Sequence, residues 1–146
     1  SSYIHYYKHL KTDEGIIDID YELNSLVKYL GEKRYYIIFA KSVGSALAIK
    51  GINYGKLNPR RCIFVGLPVL WTREQKIDLD SWIVGYSVKT DFVQNDKDPA
   101  IGAKDLRQYL RDKKVKNYNL YELKGNDHAY SDIDKLKEIV SNVRSS

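Results

Sequence analysis

Methionine is absent from this sequence, and cysteine and proline are scarce, at one and three among 146 residues. The single cysteine, Cys62, excludes an internal disulfide and a metal site made of several cysteines. Long apolar runs are also absent: the longest, at 35–40 and 63–71, fall well short of the roughly 20 residues that a membrane helix needs. With 43% hydrophobic residues and only nine glycines, the composition indicates one globular domain over 1–146 and excludes disordered or fibrous chains.

The N-terminus bears on where the protein resides and on whether the chain is whole. Residues 1–11 lack the charged and then apolar order of a secretory signal. Together with the single cysteine, this favours a reducing cytoplasm. Because the chain begins with Ser-Ser and contains no methionine, we expect a processed, trimmed or partial chain.

The net charge of +5 is not concentrated in one part of the sequence. Lysine and arginine alternate with acids throughout, whereas nucleic-acid-binding domains cluster their basic residues. We therefore predict a solvated basic surface, with no nucleic-acid partner and no membrane partner. The predicted partner is a small-molecule substrate, and a homo-oligomer stays open because nothing in the sequence decides the oligomeric state.

Motifs for cofactors and metals are also missing. The sequence has neither a Gly-x-Gly-x-x-Gly nor a Gly-x-x-x-x-Gly-Lys-Ser/Thr segment, so no nucleotide cofactor is expected. His5 and His9 stand four residues apart, but no third ligand accompanies them, so no metal site is expected.

Strand and helix signals alternate along the chain. Apolar or alternating runs predict strands at 3–8, 35–40, 62–69, 87–94 and 118–123. Helical spacing and capping residues predict helices at 20–30, 42–55, 78–86, 100–114 and 131–143. This alternation is typical of an α/β protein with a doubly wound, mostly parallel sheet in a three-layer α/β/α arrangement. Sites in such folds form at the carboxyl ends of the strands.

Residues 40–44, Ala-Lys-Ser-Val-Gly, join the most hydrophobic predicted strand directly to a helix. They are similar to the Gly-x-Ser-x-Gly nucleophile elbow, with Ala40 in the first glycine position. Ser42 would occupy a tight, strained turn, which requires small neighbours such as Ala40 and Gly44. The same turn would aim the backbone N–H of Val43, at the helix N-terminus, toward a developing oxyanion. The competing interpretation makes Ser42 an ordinary helix N-cap.

Two more candidate residues follow later strands. Asp98 lies in the turn after the strand at 87–94, and His128 lies in the loop after the strand at 118–123. The order Ser, Asp, His along the chain is that of α/β-hydrolases. Asp96 competes with Asp98 for the role of the acid. Asp98, which precedes Pro99, could instead be a turn-forming acid, and His128 could be a surface loop residue.

Three segments carry a family resemblance: 39–51, 92–99 and 123–130. They resemble the catalytic segments of small, lidless α/β-hydrolases, a group that includes dienelactone-hydrolase-like esterases. The similarity covers residues 35–140. It implies a serine hydrolase acting on an ester, thioester or amide, with Ser42 as nucleophile and His128 as general base and then acid. It also implies Asp98 as the partner that orients the histidine and Val43 as one oxyanion donor.

Part of the family pattern has no counterpart before Ser42. The second oxyanion donor normally follows the third strand of the family sheet, and no glycine-containing loop of that kind precedes Ser42. If the strand at 3–8 is the family's fourth, the third, which lies between it and the elbow strand, is missing. Two alternatives therefore stay open: a catalytically idle relative that serves as a binding or scaffold protein, and a phosphate-binding domain that uses the helix N-terminus at 42–44.

Overall fold

The computed structural model describes residues 2–5, Asn24, Lys28 and 36–130. Its strands form one five-stranded sheet in which every neighbouring pair is parallel. The strands are β1 (Ser2–His5), β2 (Tyr36–Lys41), β3 (Arg61–Val65), β4 (Thr90–Asn95) and β5 (Tyr118–Leu123). The helices are α1 (Val43–Asn53), α2 (Val69–Glu74), α3 (Leu79–Trp82) and α4 (Ala103–Asp112). The predicted α/β class with a parallel sheet is therefore confirmed.

The strands lie in the same order in space as along the chain. β1 pairs directly with β2, with Ser2 opposite Tyr36 and His5 opposite Phe39. The strand that the family pattern would insert between them therefore has no counterpart between β1 and β2. Since all strands point the same way, β2, β4 and β5 present their carboxyl ends at one edge of the sheet.

One face of the sheet packs against all four described helices. Alternate strand residues point to this face because side chains alternate across a strand. The core there joins Ile38, Ala40, Phe64 and Phe92 of the sheet to the apolar sides of the helices, which contribute Leu47, Ile49, Val69, Leu79, Leu106 and Leu110. Cys62 is fully buried on this face.

The other face is apolar as well. Phe39, Ile63, Val65 and Val93 form a second buried cluster together with Tyr130. Apart from Asn24 and Lys28, which are helical, the helices predicted at 20–30 and 131–143 lie outside the described residues. The second helical layer of the predicted three-layer arrangement thus stays a prediction. Within the described ranges, no helix combines the length and apolarity that crossing a bilayer would require.

The region between β3 and β4 differs most from the prediction. β3 ends at Val65, before Gly66 at a φ of 68°, and α2 starts soon afterwards, where only a helix at 78–86 was expected. Three consecutive apolar residues open α2, so its sequence lacks helical spacing. The helix predicted at 78–86 is shorter, since α3 ends at Trp82. β4 also begins later than predicted, at Thr90.

A buried glutamine ties the loops at the carboxyl edge together. The Gln94 side chain accepts a hydrogen bond from the Leu67 N–H at 3.0 Å and donates one to the Ile101 carbonyl at 2.9 Å. Gln94 is fully buried, and a buried amide holds its place only when both of its ends are satisfied. The loops after β3 and β4 are therefore fixed relative to each other at the edge where the site lies.

Candidate active site

Ser42 sits in a strained turn between β2 and α1. Its φ of 54° and ψ of −126° lie in a region that residues with a Cβ rarely adopt, at a cost of roughly 1–3 kcal/mol. Its backbone is held from both sides, because its N–H donates to the Val65 carbonyl at 2.8 Å and its carbonyl accepts from the Ser45 N–H at 2.9 Å. Ala40 and Gly44, the small residues on either side, are both buried. This is the strained strand-to-helix geometry that an exposed nucleophile requires.

The Ser42 hydroxyl does not cap α1. Although Ser42 occupies the N-cap position, its side chain makes no capping hydrogen bond. The Oγ lies 2.8 Å from Nε2 of His128 instead. The interpretation of Ser42 as an ordinary N-cap is therefore wrong.

The second ring nitrogen of His128 contacts Asp98. Nδ1 lies 2.7 Å from Oδ2 of Asp98, whose side chain is completely buried, while 27% of the His128 side chain is exposed. The other carboxylate oxygen, Oδ1, accepts a hydrogen bond from the Ala100 N–H at 2.7 Å. The structure thus brings Ser42, His128 and Asp98 into one chain of hydrogen bonds, with the hydroxyl at the open end and the carboxylate at the closed end.

Asp96, the competing acid, does something else. Its Oδ1 accepts a hydrogen bond from the Gly125 N–H at 2.9 Å, and its own N–H donates to the Leu123 carbonyl at 2.7 Å. The neighbouring Asn95 donates from Nδ2 to the Asp127 carbonyl at 3.0 Å. The end of β4 therefore holds the loop that carries His128, and Asp96 belongs to this support.

Tyr130 is a residue of the site that the sequence reasoning missed. Its hydroxyl donates to Oδ2 of Asp98 at 2.6 Å and accepts from the Asn95 N–H at 2.8 Å. Its ring meets the His128 ring edge-on, with centroids 5.8 Å apart. Burial, and then the hydrogen bond to Asp98, raise the pKa of Tyr130 above its ordinary value. The one sequence signal was its position two residues after His128, which is weak in a chain with thirteen tyrosines.

Gly66 provides the room for these rings. A Cβ on Gly66 would lie 2.6 Å from Cε2 of Tyr130 and 3.2 Å from Cε1 of His128. Its positive φ of 68° also disfavours any larger residue. Because Gly66 has no side chain, the end of β3 leaves space at the back of the site for the rings of His128 and Tyr130.

A cleft of about 420 Å³ opens in front of the hydroxyl. Its walls are mainly apolar and come from α2 and from the loop after β4, with a single acid; they comprise Ser42, Val43, Leu70, Trp71, Glu74, Pro99, Ala100 and His128. Val43 lies beside Ser42 as the first residue of α1, so its N–H is one of those that find no acceptor within the helix. This is the position that the sequence assigns to an oxyanion donor.

Comparisons with family models, with curated protein sequences and with solved structures found no match to this chain. The function of the site is therefore inferred from its geometry.

The chain of hydrogen bonds at the site includes neither Lys41 nor Cys62. Lys41, next to Ser42, is half-buried; burial lowers its pKa, and the negative charge of Asp127 opposes that shift. Burial raises the pKa of the Cys62 thiol to about 12. Within the part of the chain that the structure describes, no group of three or more His, Cys, Asp or Glu side chains could hold a metal ion. His9 and the side chain of His5 lie outside that part.

Proposed function

We propose that this protein is a serine hydrolase with an α/β-hydrolase-like fold that cleaves an ester, thioester or amide of a small substrate. One observation carries the proposal. A serine in a strained turn places its hydroxyl 2.8 Å from a histidine whose other nitrogen lies 2.7 Å from a buried carboxylate. A structural serine needs neither the strain nor this chain of hydrogen bonds, and strained residues with positive φ gather at functional sites.

The geometry supports nucleophilic catalysis through an acyl-enzyme. Asp98 accepts from Nδ1–H of His128, which leaves Nε2 unprotonated and able to take the proton of the Ser42 hydroxyl. Oγ would attack the substrate carbonyl carbon, and its proton would pass through Nε2 to the leaving alcohol, thiol or amine. Water would then attack the acyl carbon and give a proton to Nε2. The bond between the acyl carbon and Oγ would break, and Nε2 would return the proton to Oγ, which releases the carboxylic acid and regenerates Ser42.

Stabilisation of the oxyanion falls to the start of α1. The Val43 N–H lies next to the nucleophile at the positive end of the helix dipole, where a developing negative charge is favoured. Removing one oxyanion donor from such a site typically costs about 10²–10³ in kcat.

The cleft favours an uncharged acyl group of modest size. Leu70, Trp71, Pro99 and Ala100 supply apolar walls, and a volume of about 420 Å³ lies at the lower end of the range for small-molecule sites. Glu74 is the one charged side chain among the residues that line the cleft, and it disfavours an anionic substrate. The single, buried thiol fits a protein of a reducing compartment, and we place the activity in the cytoplasm.

Hydrolysis of an activated short-chain ester, such as a p-nitrophenyl ester, tests this function. The wild-type protein should release the phenol with saturation kinetics, and Ser42→Ala should lower the rate by at least about 10⁴-fold. The exposed Ser87, which lies outside the cleft lining, offers a matched control, and Ser87→Ala should leave the rate unchanged. Equal turnover by wild type and Ser42→Ala would show that any hydrolysis comes from elsewhere. A folded wild-type protein with no turnover of any ester, thioester or amide would favour the idle binding or scaffold protein.

A further inference from the structure

Tyr130 makes more contacts with the site than a packing residue needs. Its hydroxyl bridges the Asn95 N–H and the Asp98 carboxylate, while its ring packs on His128 and over Gly66. The residue is only 5% exposed. Its backbone has a φ of 50°, which a bulky side chain rarely adopts.

The strain distinguishes Tyr130 from Lys76 and Lys114, two of the other described non-glycine residues with positive φ. Lys76 and Lys114 each follow the last residues of a helix, α2 and α4, where a left-handed residue commonly ends the helix. Tyr130 follows the histidine loop instead, and none of the described helices ends next to it. A backbone cost of roughly 1–3 kcal/mol persists only where surrounding contacts hold the residue in place. At Tyr130 such contacts include the two hydrogen bonds of its hydroxyl and the packing of its ring on His128.

The Asn95 N–H fixes the direction of the tyrosine proton. Because the phenolic oxygen accepts from Asn95, its own proton points to Oδ2 of Asp98, at 2.6 Å. That oxygen is also the one that accepts from Nδ1 of His128, at 2.7 Å. Two donors therefore share one carboxylate oxygen, and the tyrosine reduces the negative charge that the histidine experiences.

We propose that Tyr130 is a positioning residue that fixes the Asp98 carboxylate and sets how strongly it favours the protonated form of His128. The expected effect of Tyr130 on the rate of hydrolysis rests on the proposed function, whereas its expected effect on His128 does not. The hydroxyl donates to the same carboxylate oxygen as the histidine and so weakens the hold of Asp98 on the imidazolium. Proton transfer from Ser42 would benefit, since a general base acts only in its unprotonated form.

Other charged groups near the histidine must stay constant in a test. Asp127 precedes His128 in the loop, Lys41 on β2 lies near Asp127, and Glu74 lines the same cleft as the histidine. The variants below change none of them. Tyr109 supplies a matched control, because its buried hydroxyl also donates to a carboxylate, Oδ1 of Asp80, at 2.9 Å, away from the cleft lining.

The experiment is an NMR titration of the His128 ring in the intact chain, whose three histidines are distinguished by substitution. Tyr130→Phe keeps the ring and removes the hydroxyl, and it should raise the His128 midpoint by roughly 0.5–1 pH unit. Placing 3-fluorotyrosine at position 130, a stronger donor, should lower the midpoint. Tyr109→Phe should leave the midpoint unchanged.

The rate provides a second readout. In Tyr130→Phe, kcat for the ester should fall about tenfold with little change in KM, and the acidic limb of the kcat/KM profile should move to higher pH. A structural role alone would lower the melting temperature of both phenylalanine variants without moving the histidine titration. The proposal is overturned if Tyr130→Phe leaves the midpoint in place or lowers it, or if fluorotyrosine fails to shift it in the opposite direction. Because the titration needs no turnover, it stays decisive even if the hydrolase function fails.

Discussion

Two buried aspartates near opposite ends of β4 have contrasting partners. Asp91, near the amino end, is 1% exposed and accepts from Arg61, with Nη2 at 3.1 Å and Nε at 3.2 Å. Asp98, just past the carboxyl end, is 4% exposed and accepts from His128, Tyr130 and the Ala100 N–H. An arginine is always charged, so the Asp91 pair is permanent, whereas a histidine gains and loses its proton near neutral pH.

The contrast shows how burial can serve two purposes in one strand. A carboxylate neutralised by a permanent cation contributes to the fold and leaves nothing for a reaction to change. A carboxylate that is paired with a histidine at a cleft can respond when that histidine takes a proton. Substitutions at the two aspartates should therefore have opposite effects on activity and on stability.

Replacing Asp98 with asparagine should abolish most activity and leave the fold intact. An amide at this position no longer selects the Nδ1–H form of His128, and a loss near ~10⁴ in kcat is expected for a triad of this logic. Stopped-flow or steady-state kinetics with the ester measure this loss of kcat, and circular dichroism checks the fold. Asp96→Asn is the matched control, since its carbonyl oxygen can still accept from Gly125, and its rate should change by less than about threefold. A nearly silent Asp98→Asn beside a crippled Asp96→Asn would reassign the acid.

Replacing Asp91 with asparagine should have the opposite profile. It removes the negative charge facing the mostly buried Arg61, so the free energy of unfolding should fall by about 3 kcal/mol in a urea titration. The activity per folded molecule should stay within about twofold of wild type. Asp112→Asn, at an exposed position, should cost less than about 0.5 kcal/mol. Loss of turnover without loss of stability in Asp91→Asn would contradict the division of roles.

Groups buried in neutral form extend the comparison to alkaline pH. Burial raises the pKa of Cys62 to about 12 and that of Tyr86 well above its ordinary value. Both contribute stability at pH values below the unfolded pKa, and this stability is lost as the pH rises above it, because only the unfolded chain then ionises. From about pH 9, the thiol alone should lower the free energy of unfolding by ~1.4 kcal/mol per pH unit.

The control for this alkaline loss is Cys62→Ala. Between pH 9 and 10 its urea-derived stability should decline less steeply than that of wild type, although its absolute stability is lower. Parallel curves for the two proteins would mean that the thiol ionises as readily in the fold as outside it.

The smallest effect is expected when an exposed acid, Glu74, is replaced. Glu74 lines the cleft but is solvent-exposed, so solvent and salt screen its charge. Glu74→Gln should change kcat/KM for a cationic ester relative to an anionic one of the same shape by roughly two- to fivefold at low salt. Glu122→Gln makes the same change of charge at an exposed position outside the cleft lining and should not alter this ratio. Identical ratios in all three proteins would remove Glu74 from substrate selection.

The positions of Ser42, Asp98 and His128 at one edge could be predicted because they follow directly from strand ends. In a parallel sheet, a residue just past a strand arrives at the same edge as its counterparts, whatever the details of packing. The small residues Ala40 and Gly44 also predicted the strained turn at Ser42. The boundaries of β2 and β5 also lie close to those predicted.

The features that could not be predicted from the sequence depend on strand register and on side-chain contacts across the sheet. Arg61 and Asp91 are thirty residues apart, and only the offset between β3 and β4 brings them together. Gln94 and Tyr130 look like ordinary strand and loop residues until their hydrogen-bond partners are known. α2 was missed because its apolar residues are consecutive, so periodicity, the main signal for a helix, does not identify it.

Covalent labelling of Ser42 by a fluorophosphonate probe tests the central claim most directly. The probe reacts with a serine only when a base removes the hydroxyl proton and donors stabilise the resulting oxyanion. Intact-mass and peptide analysis should show one adduct per chain, on Ser42, absent from Ser42→Ala, strongly slowed in His128→Asn and unchanged in Ser87→Ala. A folded wild-type protein that stays unlabelled, or a Ser42→Ala variant labelled as fast as wild type, would contradict the account.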